Sequence, residues 1–377
     1  IFSWFRVWLM RYNWQASPQK HHEIITNLYS RFQHLLFSEN EAERLTTRSL
    51  VQFLAQCELR PIASIIVTEC IAIVVTLPLL CMWRIRGVFA KPAQSNKRIA
   101  VRWNKSRYRF SCNPSIYHTP IELMADQPET VFAQSRYLRG DDILFIWEFS
   151  LRVLKQQPFG TIQLIYKLVK EIAWLRDLID NYPSSYALYD AEFDCALSIA
   201  TLYAHRHHQQ IYNVMHGDKF RSAIDSFFEV DRCYCWDQFY IDLFKSQHAK
   251  SDFRLYTNPD FINEQIVLPE SKSIGIIMPI TMFIGTQNDI EEFCQALNKL
   301  TPDYTISLRA HPMFSNEYEQ LRPLLAKQIQ LTDINTENAT QFIHKNEIII
   351  GISSTAATKA VMIGKPTVFL RCPTVEH

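Results

Sequence analysis

Apolar and polar residues alternate along this sequence in two different ways. The first 96 residues carry long apolar stretches, and residues 62–83 are the most hydrophobic of these. Beyond Lys97, short apolar runs alternate with segments of helical period. This alternation is typical of parallel α/β units, in which helices connect buried strands. The pattern therefore predicts two doubly wound, Rossmann-like α/β domains in tandem, preceded by a helical and partly apolar segment.

The predicted elements set the domain boundaries. The first series of strands is expected at Ile99–Trp103, Thr130–Gln134, Tyr186–Tyr189, Ile211–Met215 and Arg232–Trp236, with helices near 141–157, 161–180, 192–207 and 237–248. The second series of strands is expected at Ile274–Pro279, Thr305–Arg309, Glu347–Ile352 and Thr367–Leu370, with helices at 288–300, 315–328, 337–344 and 354–363. Prolines and weak periodicity predict a linker between the two series. The expected organisation is a helical segment at 1–96, a first domain at 97–250, a linker at 251–272 and a second domain at 273–377.

Composition narrows the class of protein. With 47% apolar residues the chain is expected to be globular, and its formal net charge of +1 gives no overall field that favours nucleic acid. Only eight glycines occur, and neither G-x-G-x-x-G nor G-x-x-x-x-G-K-S/T is found. Rossmann dehydrogenases and P-loop NTPases are therefore disfavoured.

The nine cysteines form no C-x-x-C pair, which disfavours a zinc or thiol redox motif and favours a reducing cytoplasm. Cys233 and Cys235 are spaced to lie on one face of a strand, where core packing is expected. The sequence begins at Ile1 rather than at a methionine and stops at His377. We therefore expect a piece of a longer chain, with a second domain truncated at its C-terminus.

Residues 62–109 combine an apolar run with a basic one. The charge-free stretch Cys70–Trp83 has 14 residues, fewer than the roughly 20 that a spanning helix needs. No Asp or Glu occurs from Cys70 to Ile121, and nine Lys or Arg lie within residues 84–109. The pattern is typical of peripheral association with an anionic membrane on its cytoplasmic face. A buried helix followed by a solvated basic surface explains it equally well.

Ligands of parallel α/β sheets bind beyond the carboxyl ends of the strands. In the second domain, one apolar strand runs through Gly351 into Ser353, Ser354 and Thr355 at the start of a helix. Hydroxyls and free N–H groups at a helix N-terminus suit an anion, although Ser353 alone is also a simple helix cap. Another strand ends in Arg309, and His311 and Pro312 follow it. A histidine here can donate to a phosphate oxygen, with Arg309 nearby.

These motifs resemble the nucleotide-binding domain of GT-B glycosyltransferases. His-Pro after one strand, Ser-Ser-Thr after another about 40 residues later, and Gly364-Lys365-Pro366 before the next strand are similar to bacterial families that use CMP-activated sialic acid or Kdo, and to the related CDP-glycerol polymerases. The resemblance covers residues 270–370. It implies a GT-B fold with two domains facing a cleft, and a cytidine nucleotide and phosphate bound by His311, Pro312, Ser353, Ser354 and Thr355.

Two positions in the first domain are candidates for the catalytic base. Tyr189-Asp190-Ala191-Glu192 resembles the Tyr-Asp-acidic-Gly motif of the same sialyltransferases, in which the first acid is the base. Asp190 matches that acid, the second acid stands at Glu192, and the glycine is absent. The alternative is that both acids cap and charge the first turn of a helix. His216-Gly217 resembles the strand-His-Gly of CDP-glycerol polymerases, whose histidine is the base, so His216 is the rival of Asp190.

A metal-independent reaction is expected. The sequence His205-Arg206-His207-His208 contains three possible metal ligands, but consecutive residues do not converge on one side of a helix. No Asp-x-Asp, a motif that can hold Mg²⁺, follows a strand. The resemblance thus implies an inverting transferase that moves a sialic acid- or Kdo-like sugar from a CMP-activated donor to a glycan or glycolipid acceptor in bacterial surface-polysaccharide synthesis, without a cofactor. The alternatives are a CDP-glycerol-type glycerophosphotransferase, a sugar-nucleotide epimerase of the same fold, and a non-catalytic membrane-associated scaffold.

Overall fold

A computed structural model describes most of the chain. The described residues are 16–91, 101–102, 136–181, 186–215, 219, 221–256, 272–278, 287–310, 319–332, 336–351 and 354–370. They form two compact units, the first built mainly from residues 19–257 and the second mainly from residues 258–377.

The first unit combines helices with one parallel sheet. Its helices are α1 (Pro18–Leu36), α2 (Glu41–Glu58), α3 (Ile62–Phe89), α4 (Gly140–Gln156), α5 (Ile162–Asn181), α6 (Leu197–Arg206) and α7 (Gln238–Ser246). Its strands are β1 (Val101–Arg102), β2 (Tyr186–Tyr189), β3 (Gln210–Val214), β4 (Glu229–Cys235) and β5 (Lys250–Leu255). The strands pair in parallel in the order β1-β2-β3-β4-β5, with Leu188 opposite Tyr212 and Asn213 opposite Cys233. The prediction of a parallel α/β unit is confirmed.

Helix α2 ties the N-terminal residues into this unit. It packs against α6, α4 and the short turn Ala223–Asp225. Arg48 on α2 is buried, and it pairs with the Glu229 carboxylate at 2.6 Å and donates to the carbonyls of Phe227 and His248 at 3.1 and 2.8 Å. Residues 19–91 therefore belong to the same compact unit as the first sheet, rather than forming a segment of their own.

Helix α3 is longer and more exposed than the sequence suggested. It has 28 residues and continues through Pro78, and among the described helices it packs mainly against α5. Its buried residues are Ser64, Ala72, Thr76 and Trp83. Among the described residues it is the one helix long and apolar enough to cross a membrane. Most of its apolar side chains are exposed, so within the described residues α3 is not a buried core helix. The solvated basic surface of the alternative interpretation lies largely outside the described residues.

The second unit contains another parallel sheet with its connecting helices. Its helices are α8 (Gln287–Leu300), α9 (Ala339–Lys345) and α10 (Thr355–Met362). Its strands are β6 (Ser273–Ile277), β7 (Thr305–Arg309), β8 (Gln330–Thr332), β9 (Ile348–Gly351) and β10 (Thr367–Phe369). They pair in parallel in the order β10-β9-β6-β7-β8. The apolar side chains of β6, β7 and α8 form one core cluster, and those of β9, α9 and α10 form another. The prediction of a second α/β unit is confirmed.

Several predicted elements differ from the observed ones. Residues 250–255, assigned in part to the linker, form the edge strand β5. The helix expected at 315–328 is, in its described part, a 3-10 turn at Glu319–Leu324 that contains Pro323, and β8 follows it. The helix expected from residue 192 begins at Leu197. The strand expected at 130–134 lies outside the described residues.

The buried Arg48–Glu229 ion pair predicts a position at which substitution strongly lowers the stability of the first unit. Arg48→Ala removes the donor to the carbonyls of Phe227 and His248. Glu229, which is 11% exposed, keeps Arg44 at 3.2 Å. We expect Arg48→Ala to lower the free energy of unfolding by about 2–4 kcal/mol, because two buried carbonyls lose their partner. Lys250 also pairs with Glu229, at 3.5 Å, but its side chain is 56% exposed. Lys250→Ala is therefore the matched control, with an expected loss below about 1 kcal/mol. Urea unfolding measures both, and equal losses would contradict the prediction.

Candidate functional site

The strand order of the second sheet locates a ligand crevice. From β6 the chain proceeds to β7 and β8 on one side, and it then returns to β9 and β10 on the other. The order therefore reverses between β6 and β9. Open α/β sheets bind ligands outside the carboxyl ends of the strands at such a reversal. Gly351, the last residue of β9, lies at this position.

The end of β9 and the start of α10 approach each other closely at this point. A Cβ on Gly351 would lie 2.4 Å from the Cβ of Ala357, so the strand and the helix meet only because residue 351 is glycine. Ser354 is the N-cap of α10, and its hydroxyl accepts from the N–H of Ala356 at 3.3 Å. The cap is therefore Ser354. Ser353 and the side chain of Thr355 lie outside the described residues.

Arg309, the last residue of β7, is committed to a contact within the protein. Its side chain is buried, and its Nη1 donates to the carbonyl of Glu337 at 2.5 Å. Burial lowers the pKa of this guanidinium. The strand β6 separates β7 from β9, so the two motifs are two strands apart, about 10 Å. His311 and Pro312 lie outside the described residues, and their contact with a nucleotide stays a prediction.

Lys365 connects the Gly-Lys-Pro motif to helix α9. Gly364 has φ +82° after the end of α10, which allows the chain to turn. The Lys365 amine is buried, and it donates to the carbonyls of His344 and Asn346 at 3.1 and 2.8 Å. These carbonyls stand at the C-terminal end of α9, where a cation is favoured. Burial lowers the pKa of the Lys365 amine.

The loop after β2 is the candidate site of the first unit. Asp190 follows β2 directly and is 8% exposed, whereas Glu192 is fully buried. On the neighbouring strand β3, the buried Asn213 accepts from the N–H of Ala191 at 3.0 Å and donates to Glu192 Oε2 at 3.2 Å. Because α6 begins only at Leu197, the alternative that the two acids merely cap a helix is wrong.

Helix α2 fixes the same loop from its other side. The side-chain amide of Gln52 donates to the carbonyls of Glu192 and Ile224 at 2.7 and 3.0 Å, and Gln56 donates to the carbonyl of Phe193 at 2.7 Å. Buried carbonyls need such partners, so these two glutamines hold the backbone next to Asp190 in one conformation. The loop is thus held by two elements that are distant in sequence.

A buried acid lies behind this loop. Tyr189, the last residue of β2, donates its hydroxyl to Glu171 Oε1 at 2.5 Å, and both side chains are buried. Burial, with a smaller effect of the nearby Asp194, raises the pKa of Glu171 to about 8. Burial also raises the pKa of Tyr189. At neutral pH the Glu171 carboxyl therefore holds a proton.

One group of acids and a histidine among the described residues has the spacing of a metal site. Ligand atoms of Asp141, Asp142 and His207 lie within 4.8 Å of one another. The Arg176 guanidinium donates to both carboxylates at 2.5 Å and lies 3.2 Å from His207 Nε2. The Arg176 guanidinium therefore supplies to these carboxylates the positive charge that a metal ion would otherwise supply. The expectation of a metal-independent reaction stays a prediction.

Sequence reasoning found part of this site. It located Asp190, Glu192 and Ser354 because each follows a strand, and it left out Asn213, Gln52 and Gln56. An asparagine within an apolar strand was the available signal for Asn213, because a buried amide needs partners. The glutamines lie about 140 residues from the loop that they hold, and no local pattern indicates that contact. His216 lies outside the described residues.

The chain matches no protein-family model and no curated protein. Among solved structures, it is similar to KpsC, the β-Kdo 2,4 transferase of Thermosulfurimonas dismutans, with 16% identity and a TM-score of 0.22 over 29% of this chain and 36% of that chain. It is also similar to the UDP-GlcNAc 2-epimerase of Methanocaldococcus jannaschii, with 9% identity and a TM-score of 0.41 over 73% of this chain and 84% of that one. The glycosyltransferase of kitacinnamycin shows 11% identity and a TM-score of 0.38 over 76% and 88%. The match to KpsC spans about a third of that protein. The fold assignment rests on the strand pairing of the two sheets.

Glu171 predicts a pH dependence of stability. Because the folded state binds this proton more tightly than the unfolded chain does, the stabilisation is fully present below pH 4.5 and is lost as the pH rises towards 8. Glu171→Gln should remove this loss. Urea unfolding at several pH values within that window measures it. Glu148→Gln, which changes an exposed acid, is the control and should keep the wild-type slope; an unchanged slope in Glu171→Gln would refute the assignment.

Proposed function

We propose that this chain is an inverting, metal-independent glycosyltransferase of the GT-B type. It moves a sialic acid- or Kdo-like sugar from a CMP-activated donor to a glycan or glycolipid acceptor in bacterial surface-polysaccharide synthesis. The observation that carries the proposal is the loop after β2, in which Asp190 stands at the carboxyl end of a parallel strand on a backbone held by Asn213, Gln52 and Gln56. Such support keeps a reacting group in place.

We assign the binding of the donor nucleotide to the second unit. Support comes from the reversal of strand order between β6 and β9 and from the hydroxyl residues that begin α10 there. Ser353, Ser354 and Thr355 are proposed to bind the phosphate, and His311 and Pro312 the nucleotide. Because Arg309 is buried against the carbonyl of Glu337, we assign it the positioning of the segment after β7 rather than a phosphate contact.

The first unit is assigned the catalytic base. As the acceptor oxygen attacks the anomeric carbon, Asp190 takes the proton of the acceptor hydroxyl, and the bond from the sugar to the phosphate breaks with its electron pair leaving on CMP. Attack opposite the leaving group inverts the anomeric centre. Glu192 is fully buried and accepts from Asn213, so its proposed role is to position the loop. His216 remains the rival base, by its resemblance to the CDP-glycerol polymerases.

Release of CMP tests the reaction and the base together. Asp190→Asn should lower turnover by about 10²–10⁴-fold, the usual contribution of a general base, while the nucleotide affinity measured by calorimetry is unchanged. His216→Ala is the control variant and should be milder. CMP release that does not depend on a glycan acceptor would sink the transferase. Loss of transfer in His216→Ala, with Asp190→Asn active, would assign the base to His216.

The chain is further proposed to act at the cytoplasmic face of the membrane, through residues 62–109. Support comes from the exposed apolar side of α3 and from the nine cations that the sequence places in residues 84–109. Anionic lipid headgroups attract such a basic segment by about 1 kcal/mol for each cation near the surface. A peripheral location would bring the enzyme to glycolipid acceptors.

Sedimentation with vesicles tests this location. Binding to vesicles that contain phosphatidylglycerol should exceed binding to pure phosphatidylcholine, and it should weaken as salt is added, because ions screen the attraction between headgroups and cations. Replacing Arg84, Arg86 and Lys91 together with Gln should lower binding to the anionic vesicles. Equal binding to the two kinds of vesicle at low salt would argue against an electrostatic role for this segment.

A further inference from the structure

Helix α3 exposes an apolar side along its whole length. At its centre, Ile73, Val74 and Leu77 are 61–71% exposed, and at its C-terminal end Phe89 is 78% exposed. The other exposed large apolar residues of this helix are Ile62, Ile66, Ile71, Met82, Ile85 and Val88. A contiguous exposed apolar surface of this extent marks an interaction site.

This apolar side carries no charge over most of its length. From Ile62 to Met82 the exposed residues of α3 are uncharged, and the one acid in that range, Glu69, faces α5. Twenty residue steps of an α-helix span about 30 Å, which equals the hydrocarbon thickness of a bilayer. Length and composition therefore permit two arrangements, in which α3 either crosses the membrane or lies along it.

Polar contacts with α5 decide between the two arrangements. The Glu69 carboxylate accepts from the N–H groups of Ile162 and Gln163, at 3.0 and 3.1 Å, where α5 begins. Arg60 donates to the side chains of Gln163 and Thr68 at 2.9 Å. A spanning α3 would have to break these contacts or carry them into hydrocarbon, where an unpaired polar group costs several kcal/mol.

Further contacts hold the C-terminal half of α3. The N–H of Leu138 donates to the carbonyl of Trp83 at 3.0 Å. A Cβ on Gly87 would lie 1.9 Å from the carbonyl oxygen of Leu138, so the two backbones touch there. Because both halves of α3 are attached to the rest of the first unit, the helix cannot leave this unit without losing packing along its length.

The charges around α3 fit an anionic lipid surface. Arg86 and Lys91 are exposed near its C-terminal end, and Arg84 is half-buried. No acid occurs in the sequence from Cys70 to Ile121. The cations at the C-terminal end of this apolar side attract anionic lipid headgroups, and the apolar side itself buries in the boundary between headgroups and acyl chains.

We propose that α3 lies in the plane of an anionic bilayer, with its apolar side inserted at the boundary between headgroups and acyl chains and its opposite side packed on α5. The chain is then a monotopic membrane protein that is held by one leaflet. This inference rests on the membrane association proposed above, and it adds the orientation of the helix and a hydrophobic part of the binding that salt does not remove.

The depth in the bilayer of fluorescent labels placed along α3 tests this orientation. Ile66, Leu77 and Val88 are spaced eleven residues apart on the exposed side, about 16 Å from one to the next along the axis. Each is replaced in turn by a cysteine carrying a fluorophore. The other cysteines that are not buried, Cys57, Cys70 and Cys81, are replaced with serine, as are Cys112 and Cys372, which lie outside the described residues. The full chain is bound to vesicles of phosphatidylcholine and phosphatidylglycerol that contain nitroxide lipids of known depth. All three labels should be quenched most by the same shallow nitroxide.

Other quenching patterns overturn the orientation. A label at Leu77 quenched by the deepest nitroxide, with shallow labels at Ile66 and Val88, would show a spanning helix. Labels that no nitroxide quenches, on a chain that sediments with the vesicles, would show that α3 faces protein instead, including a second copy of this chain. A chain that does not sediment refutes the membrane association itself, and CMP release tests the transferase separately.

Charge placed on the apolar side tests the hydrophobic part of the binding. Val74→Asp with Leu77→Asp should weaken the salt-resistant binding roughly tenfold or more, because two aliphatic side chains lose their burial and two carboxylates face anionic headgroups. Phe239→Asp is the matched control, since Phe239 is 55% exposed on α7 of the same unit, and it should bind as the wild type does. Unfolding midpoints confirm that the variants fold. Unchanged salt-resistant binding in the double variant would overturn the proposal.

Discussion

The first unit depends on the need of buried polar groups for hydrogen-bond partners. Helix α2 carries Arg48, Gln52 and Gln56 into the interior, and each of them meets backbone carbonyls of loops that connect the sheet to its helices. Removing one partner leaves a buried carbonyl unpaired, which costs more than the bond itself contributes. These loops therefore have one allowed position each. The position of Asp190 follows from a helix that lies more than a hundred residues earlier in the chain.

Local patterns predicted the central elements of both sheets. Tyr186–Tyr189 and Thr305–Arg309 have the predicted bounds, because central parallel strands are buried on both faces and form apolar runs. The edge strands β5 and β8 were not predicted. Lys250, Asp252 and Arg254 alternate along β5, and an edge position permits this because one side of the strand faces solvent. An apolar run, which burial favours, controls which strands a sequence pattern reveals. The exposed edge strand β10 was predicted because it carries Val368 and Phe369.

The sequence likewise predicts some residues of the candidate site and not the contacts that hold them. Residues that follow a strand are visible in the sequence, and Asp190 and Ser354 stand where that rule places them. The contacts that give them their roles are long-range. Arg309 follows the same rule, yet its guanidinium is committed to the carbonyl of Glu337, and only three-dimensional packing reveals this. Position at a strand end thus predicts which residues approach a ligand crevice better than it predicts which of them remain available to a ligand.

The contacts of Lys365 limit what the Gly364-Lys365-Pro366 motif can indicate. The Lys365 amine stabilises the end of α9 through the carbonyls of His344 and Asn346, so the motif contributes to folding whether or not a nucleotide binds. A mutation that abolished ligand binding would leave this folding role in place. The presence of Gly-Lys-Pro in another sequence therefore indicates how a helix end is fastened to the following strand, and by itself it indicates no activity.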